Sequence, residues 1–178
     1  DLLGATGKAQ ERVFDKMVKL LENHANKHFK NLIEFNDIKG GVLKFKKTPS
    51  GGISLDYIDD FGNEVPGAAE GFQRMKKIAV IMAVISVNVS QYNYPFIADA
   101  PLSVFGEGLV KGFFNELPSV FPQSIILVND FYDRNTQSKL TDLGQNIIGQ
   151  DGIKTAYINE VDKGLPQVER TTSIERRK

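Results

Sequence analysis

The chain has 178 residues, 41% of them apolar and 25% charged, which is one domain of ordinary size, long enough to bury a substantial core and too apolar for disorder. Lys+Arg and Asp+Glu number 22 each, so no bulk attraction to nucleic acid or an anionic membrane is indicated, and with no cysteine there is no disulfide framework and no thiolate metal site. The longest apolar run, Ile78 to Val87, is too short to span a bilayer, and the N-terminus lacks the basic and apolar regions of a signal peptide. A cytoplasmic protein without a membrane partner is expected, and the start at Asp1 without Met leads to the expectation of an engineered or excised fragment.

Residues 8–34 read as a helix, because Val13, Met17, Leu20 or Leu21, His24, Ala25, His28 and Leu32 recur at three- and four-residue steps. Its stripe is narrow and suits the root of a coiled coil or a helix lying across a sheet edge. His24 and His28 share a face, yet no Glu follows His24 and no third ligand is near, so surface or seam histidines are expected rather than a metal site. Gly4 to Ala9 imitates a phosphate loop and fails: Leu2 stands where the first Gly belongs, and Ala9 where Ser or Thr should follow Lys8. No other Gly-Lys pair rescues it, so any phosphate-gripping loop must come from outside this chain.

Val42–Lys47 and Gly52–Ile58 flank Thr48-Pro49-Ser50-Gly51 and predict a β-hairpin, followed by a second turn at Asp59–Asn63. A helix over roughly 72–90, rich in Ile, Val, Met and Ala, has little polar face and is expected to be buried on most sides, held by packing because β-branched residues are poor helix formers. Phe96-Ile97-Ala98 then runs into Asp99, and Pro101 stops it. Such a run reads as a strand buried on both faces in a parallel sheet. An acid at its carboxyl end looks into the crevice where open α/β sheets bind ligands, and can hold the Mg²⁺ of a nucleotide or simply cap the turn.

A loop with Gly106 and Gly108 leads to an amphipathic helix near 108–117, ended by Pro118. Ser124–Val128 is a second buried strand with Asn129-Asp130 at its end. A helix near 133–148, starting at Asn135 or Thr136 and stopped by Gly149, precedes a strand over 155–161. The tail 163–178 is frayed or an edge strand. Lys44, Lys46 and Lys47 on the hairpin, with Arg74, Lys76 and Lys77 on the long helix, are the basic clusters that could touch DNA phosphates, or else form solvated faces.

Helix, hairpin, Gly-containing loop opening a buried helix, strand ending in Asp-x-Pro, helix, strand, helix, strand: over residues 8–162 this order resembles the C-terminal lobe of a split ABC-type ATPase head. The family is the structural-maintenance-of-chromosomes (SMC) class, in particular its bacterial double-strand-break-repair and phage-defence relatives. The resemblance implies an α/β fold, the C-terminal half of a P-loop NTPase head, divided into a coiled-coil root helix (1–34), a head lobe (35–162) and a tail (163–178). It implies that Ala69, Glu70, Gly71 and Phe72 stand in the signature loop, where the family binds the γ-phosphate of ATP held by the opposite head. A helix N-terminus offers free N–H groups to an anion, and Gly allows close approach. A side chain at Gly71 is therefore expected to block the closed dimer while leaving the fold intact.

The same resemblance makes Asp99 the Walker B acid that helps hold Mg²⁺. Ala100 replaces the Glu that usually follows and polarises the attacking water, with Glu107 the nearest acid that could substitute. Ser103, Phe105 and Gly106 lie in the D-loop, which crosses the dimer interface, and Asn129 or Asp130 replaces the switch His. The implied cofactors are ATP and Mg²⁺. The implied partners are the N-terminal lobe of the same head, which carries the phosphate loop, a second head in a homodimer, and DNA. Two further readings stay open: a non-hydrolysing dimerisation or docking module of the same fold, and an unrelated α/β binding domain.

Overall fold

The computed structural model describes residues 2–37, 39–66, 68–88, 95–128, 131, 140–161 and 172–176. They fall into two compact units, Asp1–Val128 and Asn129–Lys178. The first unit contains α1 (Leu2–Leu32), β1 (Val42–Lys47), β2 (Ile53–Ile58), α2 (Glu70–Val87), β3 (Phe96–Asp99), α3 (Glu107–Val120) and β4 (Ser124–Leu127). The second holds α4 (Asp142–Gly149) and the antiparallel pair β5 (Tyr157–Val161) and β6 (Thr172–Arg176). No described helix is long and apolar enough to cross a membrane.

Helix α1 is about 46 Å long at 1.5 Å per residue and changes character along its length. From residue 6 to residue 20 it is exposed apart from the half-buried Val18, with Val13, Phe14, Met17 and Leu20 forming an exposed apolar stripe in which the Lys47 ammonium lies over the Phe14 ring at 5.1 Å. From Ala25 onward it enters the core through Ala25, His28, Phe29, Leu32 and Ile33. There Phe29, Tyr57 and Phe72 form a mutual edge-to-face trio with centroids 4.8–5.8 Å apart, joining α1, β2 and α2. Helix α3 crosses the end of α1 so closely that a Cβ on Gly112 would run into the Leu32 carbonyl, which requires glycine there.

The hairpin pairs Val42↔Ile58 through Lys47↔Ile53, and its outer edge is closed by α1 rather than by a third strand. Leu43 N–H donates to Asn26 Oδ1 at 2.7 Å and Leu43 O accepts from Asn26 Nδ2 at 2.9 Å, so one amide side chain imitates a strand. One turn earlier, Glu22 accepts from Phe45 N–H and from Lys44 Nζ, each at 2.9 Å. Burial pushes the Glu22 carboxyl up, but those two donors outweigh it and hold its pKa below the usual value. An exposed strand edge is an aggregation template, and these side chains cover it.

Strands β3 and β4 are parallel neighbours in the register Phe96↔Ser124 to Asp99↔Leu127. Their inner face carries Phe96, which packs on Phe113 and Phe121 of the α3 segment at 6.1 and 4.7 Å. Burial on both faces, expected from the apolar runs, does not hold: Ile97, Ile125 and Leu127 are 66%, 45% and 51% exposed. The same correction applies to α2, which buries Phe72, Met75, Ala79, Met82 and Ala83 but leaves Ile81, Val84 and Val87 exposed. Composition reported how much apolar surface these elements carry, whereas the described residues cover only one side of each.

Other differences are local. Helix α3 does not stop at Pro118 but runs to Val120, because a proline in the last turn forfeits a single backbone bond while Phe121 N–H still reaches Leu117 O at 3.0 Å. Helix α4 starts at Asp142 behind Thr141, whose Oγ1 accepts from Gly144 N–H at 3.1 Å, whereas Asn135 and Thr136 lie outside the described residues. Residues 172–176 of the tail form a strand, as one of the two expectations for that segment had it.

Candidate functional site

Asp99 sits at the carboxyl end of β3, exposed, beside Leu127 at the end of β4. The next residue, Ala100, has φ 44°, a left-handed backbone that costs an L-residue about 1–2 kcal/mol. Its N–H still pairs with Leu127 O at 2.9 Å, so the chain leaves the sheet by a sharp kink immediately after the acid. The kink opens the turn 101–104, anchored by buried Leu102 and closed by Phe105 N–H on Leu102 O at 2.9 Å. Ser103 and Gly106 are exposed, and Phe105 packs edge-on against Phe113 at 6.3 Å.

This turn meets the start of α2. A Cβ on Gly71 would collide with the Val104 carbonyl oxygen and touch the Phe105 ring. The loop that resembles the signature and the loop that resembles the D-loop, more than 30 residues apart in sequence, are thus packed backbone against backbone. Gly71 and Phe72 are buried, while Ala69 and Glu70 are exposed. The expectation that a side chain at Gly71 would leave the fold intact is therefore overturned: there is no room for one without moving Val104. Nothing in the sequence announced Val104 as the neighbour.

The N-terminus of α2 carries no side-chain cap, because Ala69 holds the extended backbone of an N-cap residue (φ −51°, ψ 149°) but has no oxygen to offer. The first-turn N–H groups therefore have no side-chain acceptor at the cap position. Glu70, in the first turn, pairs instead with Arg74 at 2.8 Å. A free carboxylate at a strand end and an uncapped helix start are donors and acceptors of the kind that Mg²⁺ and phosphate require, so the residues fit half of a Mg-nucleotide site. Among the described residues, no group of three His, Asp or Glu side chains could hold a metal by itself.

Glu107 lies elsewhere. It pairs with Lys111 at 2.6 Å and lines an open groove with Phe35, Asn36, Asp37, Gly106, Gly108 and Lys111, a set without Asp99. Asn129 and Asp130 fall outside the described residues. The hairpin lysines, expected either to meet DNA or to be solvated, are each engaged by this chain's own acids. Lys44 pairs with Glu22, Lys46 with Asp56 and Glu64, and Lys47 with Asp15 at 2.6 Å. Of the α2 cluster, Lys77 is exposed and Lys76 is buried at 6% exposure, where desolvation pushes its pKa down and Asp56 offsets this only in part.

Sequence reasoning missed the polar core altogether. His28, expected on the surface or in a seam, is 4% exposed and hydrogen-bonded to Glu116 and Ser86. Its only sequence signal is its place on the apolar stripe of α1.

No family model and no curated protein matches the sequence. Solved structures do match by shape. The SMC head domain with a coiled coil and joint from Pyrococcus yayanosii superposes with a TM-score of 0.61 at 13% identity, over 97% of this chain and 30% of that one. The SMC head with an extended coiled coil bound to the C-terminal domain of ScpA, from Pyrococcus furiosus, gives 0.58 at 14% identity, over 95% and 37%. A chain from a structural study of ATP-driven dimerisation and DNA-stimulated activation of SMC ATPases gives 0.56 at 13% identity, over 92% and 88%. The chain spans well under half the length of the two Pyrococcus chains. Parallel β3–β4, the acid at its carboxyl end and the long α1 are thus parts of a mixed α/β fold similar to that of part of an SMC head domain.

Proposed function

We propose that this chain is the C-terminal lobe of an SMC-like ATPase head, acting in DNA repair or phage defence, which becomes competent for ATP only with an N-terminal lobe that carries the phosphate loop. The observation that carries this is the β3–β4 sheet: it ends in an exposed carboxylate and leaves Ile97, Ile125 and Leu127 exposed on one face, where a further layer of the head would pack. Apolar surface of that kind favours burial by about 25 cal/mol per Å². The exposed stripe Val13, Phe14, Met17 and Leu20 on α1 supports the same reading, as the seam for a second helix of a coiled coil. On this reading residues 1–34 are the coiled-coil root, 35–162 the head lobe and 163–178 a tail.

Asp99 would hold the Mg²⁺, whose chemistry is to neutralise the phosphate charges. The N–H groups at Glu70–Phe72 would donate to a phosphate of the nucleotide held by a second head, with Ala69 contributing backbone alone. Ser103, Phe105 and Gly106 would meet that second head, held in place by Val104 against Gly71. The reading assigns DNA no contact through Lys44, Lys46 or Lys47, which are already paired.

A second reading, a non-hydrolysing dimerisation or docking module, is favoured by one observation. Ala100 occupies the position after Asp99 in a left-handed kink and offers no carboxylate to a water. Glu107 would serve as a base only if released from Lys111 and carried out of its own groove.

Calorimetric titration tests the proposal. Mg-ATP is expected not to bind the 178-residue chain, to bind once the chain is joined to a phosphate-loop lobe, and to lose most of that affinity in Asp99→Ala. Tight Mg-ATP binding by the chain alone would overturn it. Phosphate release by the reunited head separates the two readings.

A further inference from the structure

Where α1 enters the core, one chain of side chains ties three helices together. His28 Nδ1 on α1 donates to Glu116 Oε1 on α3 at 2.6 Å, and His28 Nε2 meets Ser86 Oγ on α2 at 2.7 Å. Glu116 Oε2 accepts from Asn31 Nδ2, one turn along α1, at 2.9 Å. His28 and Glu116 are each 4% exposed, and among the described residues no buried side-chain polar atom lacks a partner. Ser, His and Glu in this order have the connectivity of a hydrolytic triad. Ser86, however, stands in the last turn of α2, where the free backbone groups are carbonyl oxygens and the helix dipole is negative. An oxyanion forming there would be repelled, so the arrangement does not serve nucleophilic catalysis.

Its geometry serves orientation. The contacts that α1 makes through Ala25, Phe29 and Leu32 are apolar and hold the helix down; directional bonds tie it to the hairpin through Glu22 and Asn26, and His28 and Asn31 supply those that tie it to α2 and α3. Hydrogen bonds weaken steeply away from linearity and fix an angle well. The joint lies a few residues inside the point where α1 leaves the body, and residues 6–20 project beyond it, touched by Lys47 through Glu11 and Asp15. Any rotation at His28 is magnified along that arm. The outermost member, Ser86, is half-buried and belongs to α2, whose opposite end is the uncapped N-terminus packed on Val104.

We propose that Ser86–His28–Glu116 is a positioning joint that sets the angle of α1 and makes it answer to displacement of α2. Its transmitting role rests on the head reading above, since α2 must respond to nucleotide for the joint to have a motion to pass on; its role in setting the angle does not.

The absence of cysteine allows clean spin labelling at Lys16→Cys on α1 and Lys77→Cys on α2, both exposed. In the 178-residue chain, pulsed dipolar spectroscopy should give one narrow distance. Ser86→Ala should broaden it at least twofold with a fall in Tm of no more than a few degrees, and Ser86→Thr, which keeps the hydroxyl, should restore it. Ser86→Ala and Glu116→Gln should be non-additive in width, because both act through His28. An unchanged width in Ser86→Ala, or additive effects, would overturn the joint and leave these bonds as ordinary stabilising contacts.

In the reunited head, Mg-ATP should shift the wild-type distance and not that of Ser86→Ala. An equal shift in both overturns the transmitting role. If calorimetry shows bound Mg-ATP and neither distance moves, transmission is again overturned. If no Mg-ATP binds, the head reading fails, while the angle-setting role stands or falls on the nucleotide-free distances alone.

Discussion

The two ends of the first unit are built to opposite standards. Where α1 enters the core its side chains are engaged: Asn26 and Glu22 close the hairpin edge, His28 and Asn31 take both oxygens of Glu116, and Phe29 packs against Tyr57 and Phe72. At β3–β4, among the described residues, the sheet has two strands, an exposed apolar face and an exposed carboxylate at its end. A region that is finished within its own chain contributes stability, and one left half-covered marks where something else is to be received. The contrast is what the proposal rests on, and it can be tested by substitutions on both sides.

The largest effect should come from Phe29→Ala, which removes a ring that is 1% exposed and should cost about 3–5 kcal/mol in denaturant unfolding. A loss below about 1 kcal/mol would mean that the α1 region is not the finished half. Gly71→Ala should follow at about 1–3 kcal/mol, since the added Cβ has to displace the Val104 backbone. If Gly71→Ala left Tm unchanged, the packing of the two loops described above would be wrong.

Ala100→Gly should stabilise by about 0.5–1 kcal/mol, the relief of a left-handed alanine less the entropy that glycine adds to the unfolded chain. Lys76→Met should raise Tm by about 2 °C at neutral pH. The sign follows from the lowered pKa of the folded lysine: its desolvation penalty is complete below that value and disappears as pH rises to the ordinary lysine value. The advantage of Met should therefore fade in thermal scans at alkaline pH, and a constant advantage would point to packing instead. The smallest effect belongs to Ile97→Ser, within about 0.5 kcal/mol in the chain alone, because the side chain is 66% exposed. A loss comparable to that of Phe29→Ala would show that the face is covered after all.

Much of this was legible in the residues. Periodicity located the hairpin, α2 and the end of α1 to within a few positions, because apolar spacing and turn residues are local signals, whereas α1 begins at Leu2 rather than at residue 8, where the stripe alone would start it. The apolar run into Asp99, followed by Pro101, was enough to place an acid at a strand end, and the spacing around Gly7-Lys8 was enough to exclude a phosphate loop there. What the sequence could not carry was pairing at a distance. Nothing local distinguishes His28 from a surface histidine until Glu116, 88 residues away, is placed at 2.6 Å. Nothing marks Gly71 as sterically fixed until Val104 arrives beside it, and nothing marks the lysines of the hairpin as paired until α1 brings Glu22 and Asp15 alongside. Exposure was the hardest to foresee, since an apolar strand reads the same whether its second face is covered by its own chain or left open. Local chemistry determined which elements form and where the acid sits; tertiary structure alone decided which apolar faces are closed, because burial depends on what the rest of the chain brings to them.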